Sequence, residues 1–204
     1  ENRFRFAGEI IRRIKSRLPD SMAVIVKMNT NDYTPAKGIE PDLAAVYAKW
    51  FTQIGADAIE VSCGTYYTFH GLRGDIPVAE MAAGLPAWMR PLAKVKLRFQ
   101  KKGNAFVPAY NLAAAKLIKP EMGGTPLILV GGMRKLAEMA DVVETGHADL
   151  ISMSRPFIRE PFLVKRFREK KTAEAACISC NKCFAAMFND MPIKCYVDGL
   201  PGFK

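Results

Sequence analysis

Four cysteines near the carboxyl end of the sequence form its clearest cluster of chemically capable residues. Two residues separate Cys177 from Cys180 and Cys180 from Cys183, and eleven more separate Cys183 from Cys195. Thiolates at such short spacings can converge on a zinc ion or an iron–sulfur cluster. The N-terminal stretch has no signal-peptide pattern, so we expect a cytoplasmic protein with reduced thiols rather than disulfides. A metal cluster, a zinc site and unliganded thiols all stay open at this point.

A second set of candidate residues stands where two apolar runs end. Gly131 and Gly132 close one run and are followed by Met133, and Ser154 and Arg155 close the next. Paired glycines let a backbone approach a ligand closely, and the start of a helix offers free N–H groups to a phosphate. A hydroxyl and a guanidinium at the neighbouring strand end suit the same ligand. The two ends together predict a phosphate site.

Lys27 lies within an apolar run, where a lysine without a partner is uncommon. One interpretation is a charge that reaches water from the end of a strand. The other is a cation that faces an electron-rich cofactor. The two histidines are weaker candidates: His147 follows a helix and is expected at the surface, whereas His70 lies in a long loop that could line a substrate mouth.

These residues are spaced along alternating helix and strand patterns. Short apolar, β-branched runs predict four buried parallel strands, and apolar stripes of helical period predict five helices, the first carrying Phe6, Ile10 and Ile14. The stretch from Cys63 to Val107 is interpreted as long and irregular. The predicted strands are 22–29, 58–62, 126–132 and 150–154, and the predicted helices are 1–18, 41–54, 110–118, 133–143 and 161–168.

The order α-β-α-β-α-β-α-β-α indicates βαβ units and an α/β fold with a parallel sheet. Four strands are too few for a closed eight-stranded barrel, which typically takes about 250 residues. They fit a small open sheet or one half of a barrel. The sequence begins at Glu1 rather than Met, and we expect it to be part of something longer.

Composition narrows the class of protein further. The chain has 204 residues, half of them apolar, which fits one globular domain with an appendage, and no apolar run is long enough to span a membrane. Thirty Lys and Arg against twenty Asp and Glu give a net charge of +10. This excess favours an anionic cofactor or substrate, a nucleic acid or an acidic surface, although a solvated basic surface explains it equally well. Part of it is concentrated in the run Arg90–Lys102, which contains no acid.

Three stretches of the sequence resemble the old yellow enzyme family, the NADH:flavin oxidoreductases that include the 2,4-dienoyl-CoA reductases. The opening ENRFRF is similar to the start of the family's fourth barrel helix. LILVGGMR, residues 127–134, is similar to its seventh strand and phosphate turn, and ADLISMSRPFIREP, residues 148–161, to its eighth strand. The resemblance runs through nearly the whole chain and is weakest in residues 64–107.

The resemblance implies the C-terminal half of an FMN-binding (β/α)8 TIM barrel, residues 1–172, and an enzyme of the ene-reductase type. Hydride would pass from NAD(P)H through FMN to an activated alkene such as an enoate or enone. Gly131, Gly132 and Met133 would hold the FMN phosphate with Arg155, next to Ser154, which stands where many members have Gly. Lys27 falls where the family places a cation near the flavin, and a cation there stabilises reduced flavin. The family's first four strands are missing, with their catalytic residues, so catalytic residues stay unknown.

The tail, residues 173–204, resembles the dienoyl-CoA reductase branch, in which a similar set of cysteines binds a [4Fe-4S] cluster. That branch separates its second and third cysteines by three residues, whereas two separate Cys180 from Cys183 here. We expect a second chain or self-association to complete the barrel, because a half barrel leaves open edges and apolar surface. We expect no membrane partner. The alternatives are a fragment without activity and a basic nucleic-acid-binding module acting through Arg90–Lys102.

Overall fold

A computed structural model describes residues 2–65 and 68–202 of the chain; Glu1 of the opening motif lies outside them. Within them the structure contains four strands and nine α-helices. The strands are β1 (Ile25–Asn29), β2 (Ala58–Ser62), β3 (Leu127–Val130) and β4 (Leu150–Ser152). The helices are α1 (Asn2–Lys15), α2 (Pro41–Gln53), α3 (Val78–Ala83), α4 (Arg90–Gly103), α5 (Leu112–Ile118), α6 (Leu136–Glu144), α7 (Arg155–Arg159), α8 (Leu163–Arg168) and α9 (Lys182–Met187).

The chain divides into two compact units. The first contains all four strands and comprises residues 1–71, 109–133 and 138–152. The second comprises residues 72–108, 134–137 and 153–204 and is built from helices and loops, of which α4 is the longest helix. No helix among the described residues is long and apolar enough to cross a membrane.

The sheet confirms the predicted fold class. All four strands are parallel, and they lie side by side in chain order, β1-β2-β3-β4. A helix follows β1 and another precedes β3, so the strands are joined by crossovers rather than hairpins. Four sequential parallel strands with helical crossovers are the arrangement of one half of a (β/α)8 barrel.

The two faces of this sheet differ sharply in burial. One face is almost completely buried, and α2 contacts β1 and α5 contacts β3. The other face carries Lys27 and leaves Ile25 and Leu150 about half exposed, at 55% and 52%. The cross-strand register places the buried side chains in two rows, Ile59 and Leu127 in one and Met28, Val61 and Leu129 in the other.

The first helix forms as predicted, but its predicted apolar stripe is not the buried one. Phe4 and Gly8 face inward, and the ring of Phe4 lies 4.7 Å from that of Phe51 on α2. Phe6 is 79% exposed, and Ile10 and Ile14 are also exposed. The helix therefore has apolar residues on two sides. The periodicity of the sequence does not indicate which of the two sides packs against the rest of the unit.

Two aspartates, each just before a strand, hold the starts of neighbouring strands together through equivalent contacts. Asp57 precedes β2, and its carboxylate accepts a hydrogen bond of 2.6 Å from the N–H of Val24 and an ion pair of 2.9 Å from Lys15. Asp149 precedes β4 and accepts equivalent contacts of 2.6 Å from the N–H of Leu127 and 2.5 Å from Lys119. Each pair of strands thus begins at the same kind of carboxylate clamp.

The second unit corrects the sequence interpretation in one important respect. The stretch 63–107, interpreted as irregular, contains α3 and α4. Its prolines and glycines obscured α4 because Pro91 stands in the first turn of that helix, where proline is tolerated. The predicted helix 161–168 is present as α8, and the short helix α7 precedes it.

Candidate functional site

Two groups of candidate residues can be described, one in each unit. In the first unit, β3 ends at Val130 and continues into Gly131 and Gly132, whose φ angles are 122° and 72°. A Cβ on Gly131 would lie 2.6 Å from the ring of Tyr110, so this position requires glycine for space as well as for conformation. The Tyr110 hydroxyl donates a hydrogen bond of 2.9 Å to the Gly71 carbonyl, which holds the ring in place.

The turn after β3 has the polar surface of an anion site. Within residues 2–65 and 68–202, no acceptor is found for the backbone N–H groups of Gly132 and Met133. Consecutive N–H groups of this kind are the donors that a phosphate takes. Helix α6 begins only at Leu136, so the glycine pair does not itself start the helix as the sequence pattern suggested.

Lys27 reaches a carboxylate on the neighbouring strand. Its ammonium lies 2.6 Å from Oε1 of Glu60, which the register places directly opposite it on β2. The Lys27 side chain is about half exposed, whereas that of Glu60 is largely covered. The open face of the sheet therefore carries a lysine whose charge is partly balanced by a neighbour that sequence reasoning did not identify.

Loops at the carboxyl ends of β1 and β2 are fastened to each other. The Asn29 amide donates hydrogen bonds of 2.8 Å to the Asp32 carboxylate and 2.7 Å to the Gly64 carbonyl. His70 stacks on Tyr33 with ring centroids 4.2 Å apart and an angle of 12° between the planes. This stack gives the His70 loop an aromatic surface; a role for it at a substrate mouth stays a prediction. His147 is partly exposed at the end of α6.

In the second unit, Arg155 connects two loops. Its Nη1 atom donates hydrogen bonds of 2.9 Å to the Arg73 carbonyl and 2.5 Å to Oδ1 of Asn181. The Asn181 amide in turn donates bonds of 2.7 Å to the carbonyls of Leu72 and Asp75. Ser154 is exposed and precedes α7 as its N-cap residue. Arg155 is thus oriented by the cysteine-containing loop, with Nε and Nη2 not engaged by any described residue.

A second arginine, Arg134, also contacts the cysteine-containing loop. Arg134 lies over the ring of Phe106, 3.6 Å from its centroid, and donates a hydrogen bond of 2.6 Å to the Ser179 hydroxyl. Burial lowers the pKa of Arg134, the neighbouring charge of Arg155 adds to this, and the nearby Cys177 opposes it. Two guanidinium groups therefore stand close to the cysteines.

All four cysteines line one small cavity together with Arg155. The cavity measures about 20 Å³, enough for roughly one water molecule. Burial raises the pKa of Cys183, and Cys177 and Cys180 raise it further, whereas Arg155 lowers it. Among the described residues no three ligand side chains lie close enough to hold a metal ion. The thiols, all free, match a metal centre in number and kind, but the loop as it stands encloses too little space for one.

Sequence reasoning missed the polar residues that hold these groups. Asn181, Asn104 and Glu160 are buried, and each bonds to backbone groups of distant segments. Asn181 adopts a φ of 56°, a conformation that asparagine tolerates better than most residues. In the sequence, the one feature that could have indicated this role of Asn181 is its position between closely spaced cysteines.

Comparison with known proteins gives a consistent set of relatives. The NADH:flavin oxidoreductase / NADH oxidase family model matches residues 78–174. The 4,4'-dithiodibutanoate disulfide reductase of Rhodococcus erythropolis is 27% identical over 91% of this chain and 46% of its own length. Cinnamate reductase of Clostridium sporogenes is 24% identical over 97% of this chain and 28% of its own. The chain spans less than half the length of these curated relatives.

Solved structures agree with the fold. The structure of a 2-naphthoyl-CoA reductase covers 97% of this chain with a TM-score of 0.71 and 20% identity, and this chain covers 26% of that one. The relatives are named as flavin oxidoreductases and reductases, and the TM-score shows that the aligned structure shares the fold of this chain. The chain is therefore similar to the NADH:flavin oxidoreductases, and its fold is that of one half of a (β/α)8 barrel.

Proposed function

We propose that this chain supplies the phosphate-binding half of an FMN-dependent, NAD(P)H-linked oxidoreductase whose substrate is an activated alkene such as an enoate or enone. The observation that carries the proposal is the turn after β3. Its glycines are enforced by conformation and by the Tyr110 ring, and the N–H groups of Gly132 and Met133 have no acceptor among the described residues. Such a turn at the carboxyl end of a parallel strand is suited to a phosphate.

Each candidate residue has a definite task in this proposal. The N–H groups of Gly132 and Met133 would donate to the phosphate oxygens. The family resemblance assigns a phosphate contact to the guanidinium of Arg155, which follows Ser154 in the sequence, as well. FMN, when bound, supplies the hydride transfer from NAD(P)H to the alkene. Lys27 would supply a cation that stabilises negative charge on the flavin, and its ion pair with Glu60 would limit how strongly that cation acts.

The relatives support this assignment. They are longer than this chain, so the proposal must also account for the strands that this chain does not contain. A NADPH dehydrogenase of Bacillus subtilis and a cinnamate reductase are among the proteins that align with most of this chain. Because the chain covers less than half of each, the missing strands come from elsewhere in the proposal: a longer parent, a second chain or a second copy. Exposed apolar side chains on α1 and on the open sheet face, Phe6, Ile25 and Leu150, are the surface that such a segment would cover.

A direct test compares FMN with riboflavin, which lacks the phosphate. The purified chain is examined by absorption before and after denaturation for carried flavin, and is then titrated with each compound by fluorescence quenching. We expect FMN to bind at least tenfold more tightly than riboflavin, because charge-assisted hydrogen bonds to phosphate contribute about 1.5–3 kcal/mol each. Equal affinity, or no flavin binding at all, would contradict the assignment.

Arg155→Gln separates the phosphate contact from general damage to the fold. It should weaken FMN binding about tenfold or more while leaving riboflavin binding nearly unchanged, since only FMN offers the phosphate. Arg168→Gln on α8, an exposed arginine, is the matched control and should leave both affinities unchanged. A parallel loss of both flavins in Arg155→Gln would show that the residue only holds the loops together.

For the cysteine tail, residues 173–204, we propose a [4Fe-4S] cluster on Cys177, Cys180, Cys183 and Cys195. The support is that the four thiols line one cavity together with Arg155, whose charge opposes the burial that raises the pKa of Cys183. Taking up a cluster requires this loop to widen. Anaerobic purification with iron, sulfide and zinc analysis tests it, with Cys180→Ala expected to abolish the metal and Cys63→Ala, outside the tail, to retain it. Zinc alone, or no metal, would overturn the cluster.

A further inference from the structure

Helix α4 turns an apolar stripe toward solvent. Leu92, Val95 and Phe99 are exposed to 77%, 48% and 70%, and Trp88 in the preceding turn is exposed to 81%. At about 100° per residue, the three helical members fall within roughly 60° of arc. An exposed stripe of large apolar residues at helical spacing is unusual for a surface in contact only with water.

The opposite side of α4 already attaches the helix to its own unit. Leu97 is buried, and Lys101 forms an ion pair of 2.7 Å with Asp75. Arg90 donates hydrogen bonds of 2.9 Å to the carbonyls of Ala83 and Leu85. The exposed stripe is therefore a second apolar face, and it is not the face by which the helix packs.

Cations border the stripe. The helix carries six Lys and Arg and no acid over residues 90–102. Lys96 lies on one edge of the stripe, and Lys102 and Arg98 lie on the other. No ion pair of these three is found in the described part of the chain. An apolar strip between rows of cations is the arrangement of a helix that lies in the interface of an anionic membrane, apolar residues in the acyl boundary and cations at the headgroups.

We propose that the face formed by Trp88, Leu92, Val95 and Phe99, with Lys96, Arg98 and Lys102, binds the surface of anionic lipid bilayers. Charge complementarity selects an acidic partner. A nucleic acid would satisfy the cations but leave two aliphatic side chains in water, whereas a bilayer satisfies both. This departs from the sequence expectation of no membrane partner, because the sequence does not show which side of α4 is exposed.

The test is co-sedimentation of the chain with vesicles of phosphatidylcholine alone and with about one third phosphatidylglycerol. We expect binding only to the anionic vesicles, weakening as salt rises. Trp50→Phe leaves Trp88 as the single tryptophan, and its emission should shift to shorter wavelength on binding, since the indole leaves water. Binding to both vesicle types, or to neither, would overturn the proposal.

Two pairs of variants assign the binding to α4. Leu92→Ser with Phe99→Ser should abolish it, whereas Phe6→Ser with Ile10→Ser, on the other exposed apolar and basic helix, should not. Lys96→Glu with Lys102→Glu should weaken it by about thirtyfold or more, since each cation near such a surface is worth roughly fivefold. Lys37→Glu with Lys116→Glu is the matched charge control.

Circular dichroism and the thermal midpoint confirm that each variant is folded. If the α1 and α4 variants lost binding equally, binding would depend on the overall charge and apolarity of the chain rather than on α4. That result would contradict the proposal. Duplex DNA that displaces the chain from vesicles, with binding insensitive to Leu92→Ser, would favour a nucleic-acid surface. A concentration-dependent dimer abolished by the Leu92 and Phe99 variants, without lipid binding, would instead assign the stripe to a second copy of this chain.

Discussion

The two compact units of this chain are stabilised in different ways. The first is organised around a ladder of four parallel strands whose inner rows, including Ile59, Leu127 and Leu129, are fully buried. The second has no named strand among its described residues. Its loops are linked by buried polar side chains, Asn181 and Asn104, that donate to the carbonyls of distant segments. The second unit also buries apolar side chains such as Ile76, Met81 and Leu163. The difference is that a ladder of strands organises the first unit, whereas buried asparagines link the loops of the second.

The sharpest way to test this contrast starts in the sheet. Leu129→Ala removes a fully buried side chain from β3 and should lower the free energy of unfolding by about 2–5 kcal/mol, the range for such cavities. Leu150→Ala removes the same atoms from β4, where the side chain is about half exposed, and should cost less than roughly 1 kcal/mol. Urea denaturation measures both. Equal losses would mean that the two faces of the sheet are equally buried in solution.

The turn after β3 gives the next largest effect. Gly131→Ala forces a residue with a side chain into a φ of 122°, which costs about 1–3 kcal/mol, and places its Cβ against the Tyr110 ring. Gly124→Ala is the control, because its φ is also positive, at 90°, but nothing lies near its Cβ. The difference in unfolding free energy between the two variants isolates the clash. If they were equally destabilised, the glycine would be needed for conformation alone.

The contrast between the units also explains what could be predicted from sequence. The strands follow from compact β-branched runs such as AIEVS, and the helix after β1 follows from Pro41 and its apolar stripe. The phosphate turn was identifiable because Gly131 and Gly132 end such a run. These signals are local, and each is repeated over several residues.

Other features could not be predicted because they depend on partners far along the chain. Asn181 bonds to Leu72, more than a hundred residues away, and nothing in the sequence around it indicates that partner. Lys27 was identified, but its neighbour Glu60 follows only from the register of β1 and β2. The exposed side of α4 likewise depends on which face the rest of its unit covers.

A polar deletion tests the second unit directly. Asn181→Ala leaves the carbonyls of Leu72 and Asp75 without their amide donor and should cost about 1–3 kcal/mol. Asp190→Ala is the control, because Asp190 has a similar φ of 50° but is exposed. Hydrogen exchange should show faster exchange in residues 72–75 and 177–183 and unchanged exchange in β2 and β3. Faster exchange throughout the sheet would contradict the separate stabilisation of the two units.

The smallest effect concerns the two carboxylate clamps of the sheet. The Val24 N–H and the Lys15 ammonium lower the pKa of Asp57. Burial tends to raise the pKa of Asp149, but Lys119 and the Leu127 N–H outweigh it, and the net shift is downward. A lowered folded pKa means that each carboxylate stabilises the fold fully above the ordinary aspartate pKa of about 3.9 and loses this contribution as pH falls below it.

Asp149→Asn should therefore lower stability by at most about 1 kcal/mol between pH 5 and 8, since the group is partly exposed. The difference from the wild-type chain should shrink as pH falls below about 4, because the wild-type carboxylate is then protonated too. Asp57→Asn should show the same pH dependence, and Asp141→Asn, an exposed aspartate on α6, should show none. A difference that persists unchanged at pH 2 would mean that the clamps act through shape and hydrogen bonding rather than charge. In that case Asp57 and Asp149 would occupy equivalent positions before their strands, but the negative charge of each carboxylate would not contribute to stability.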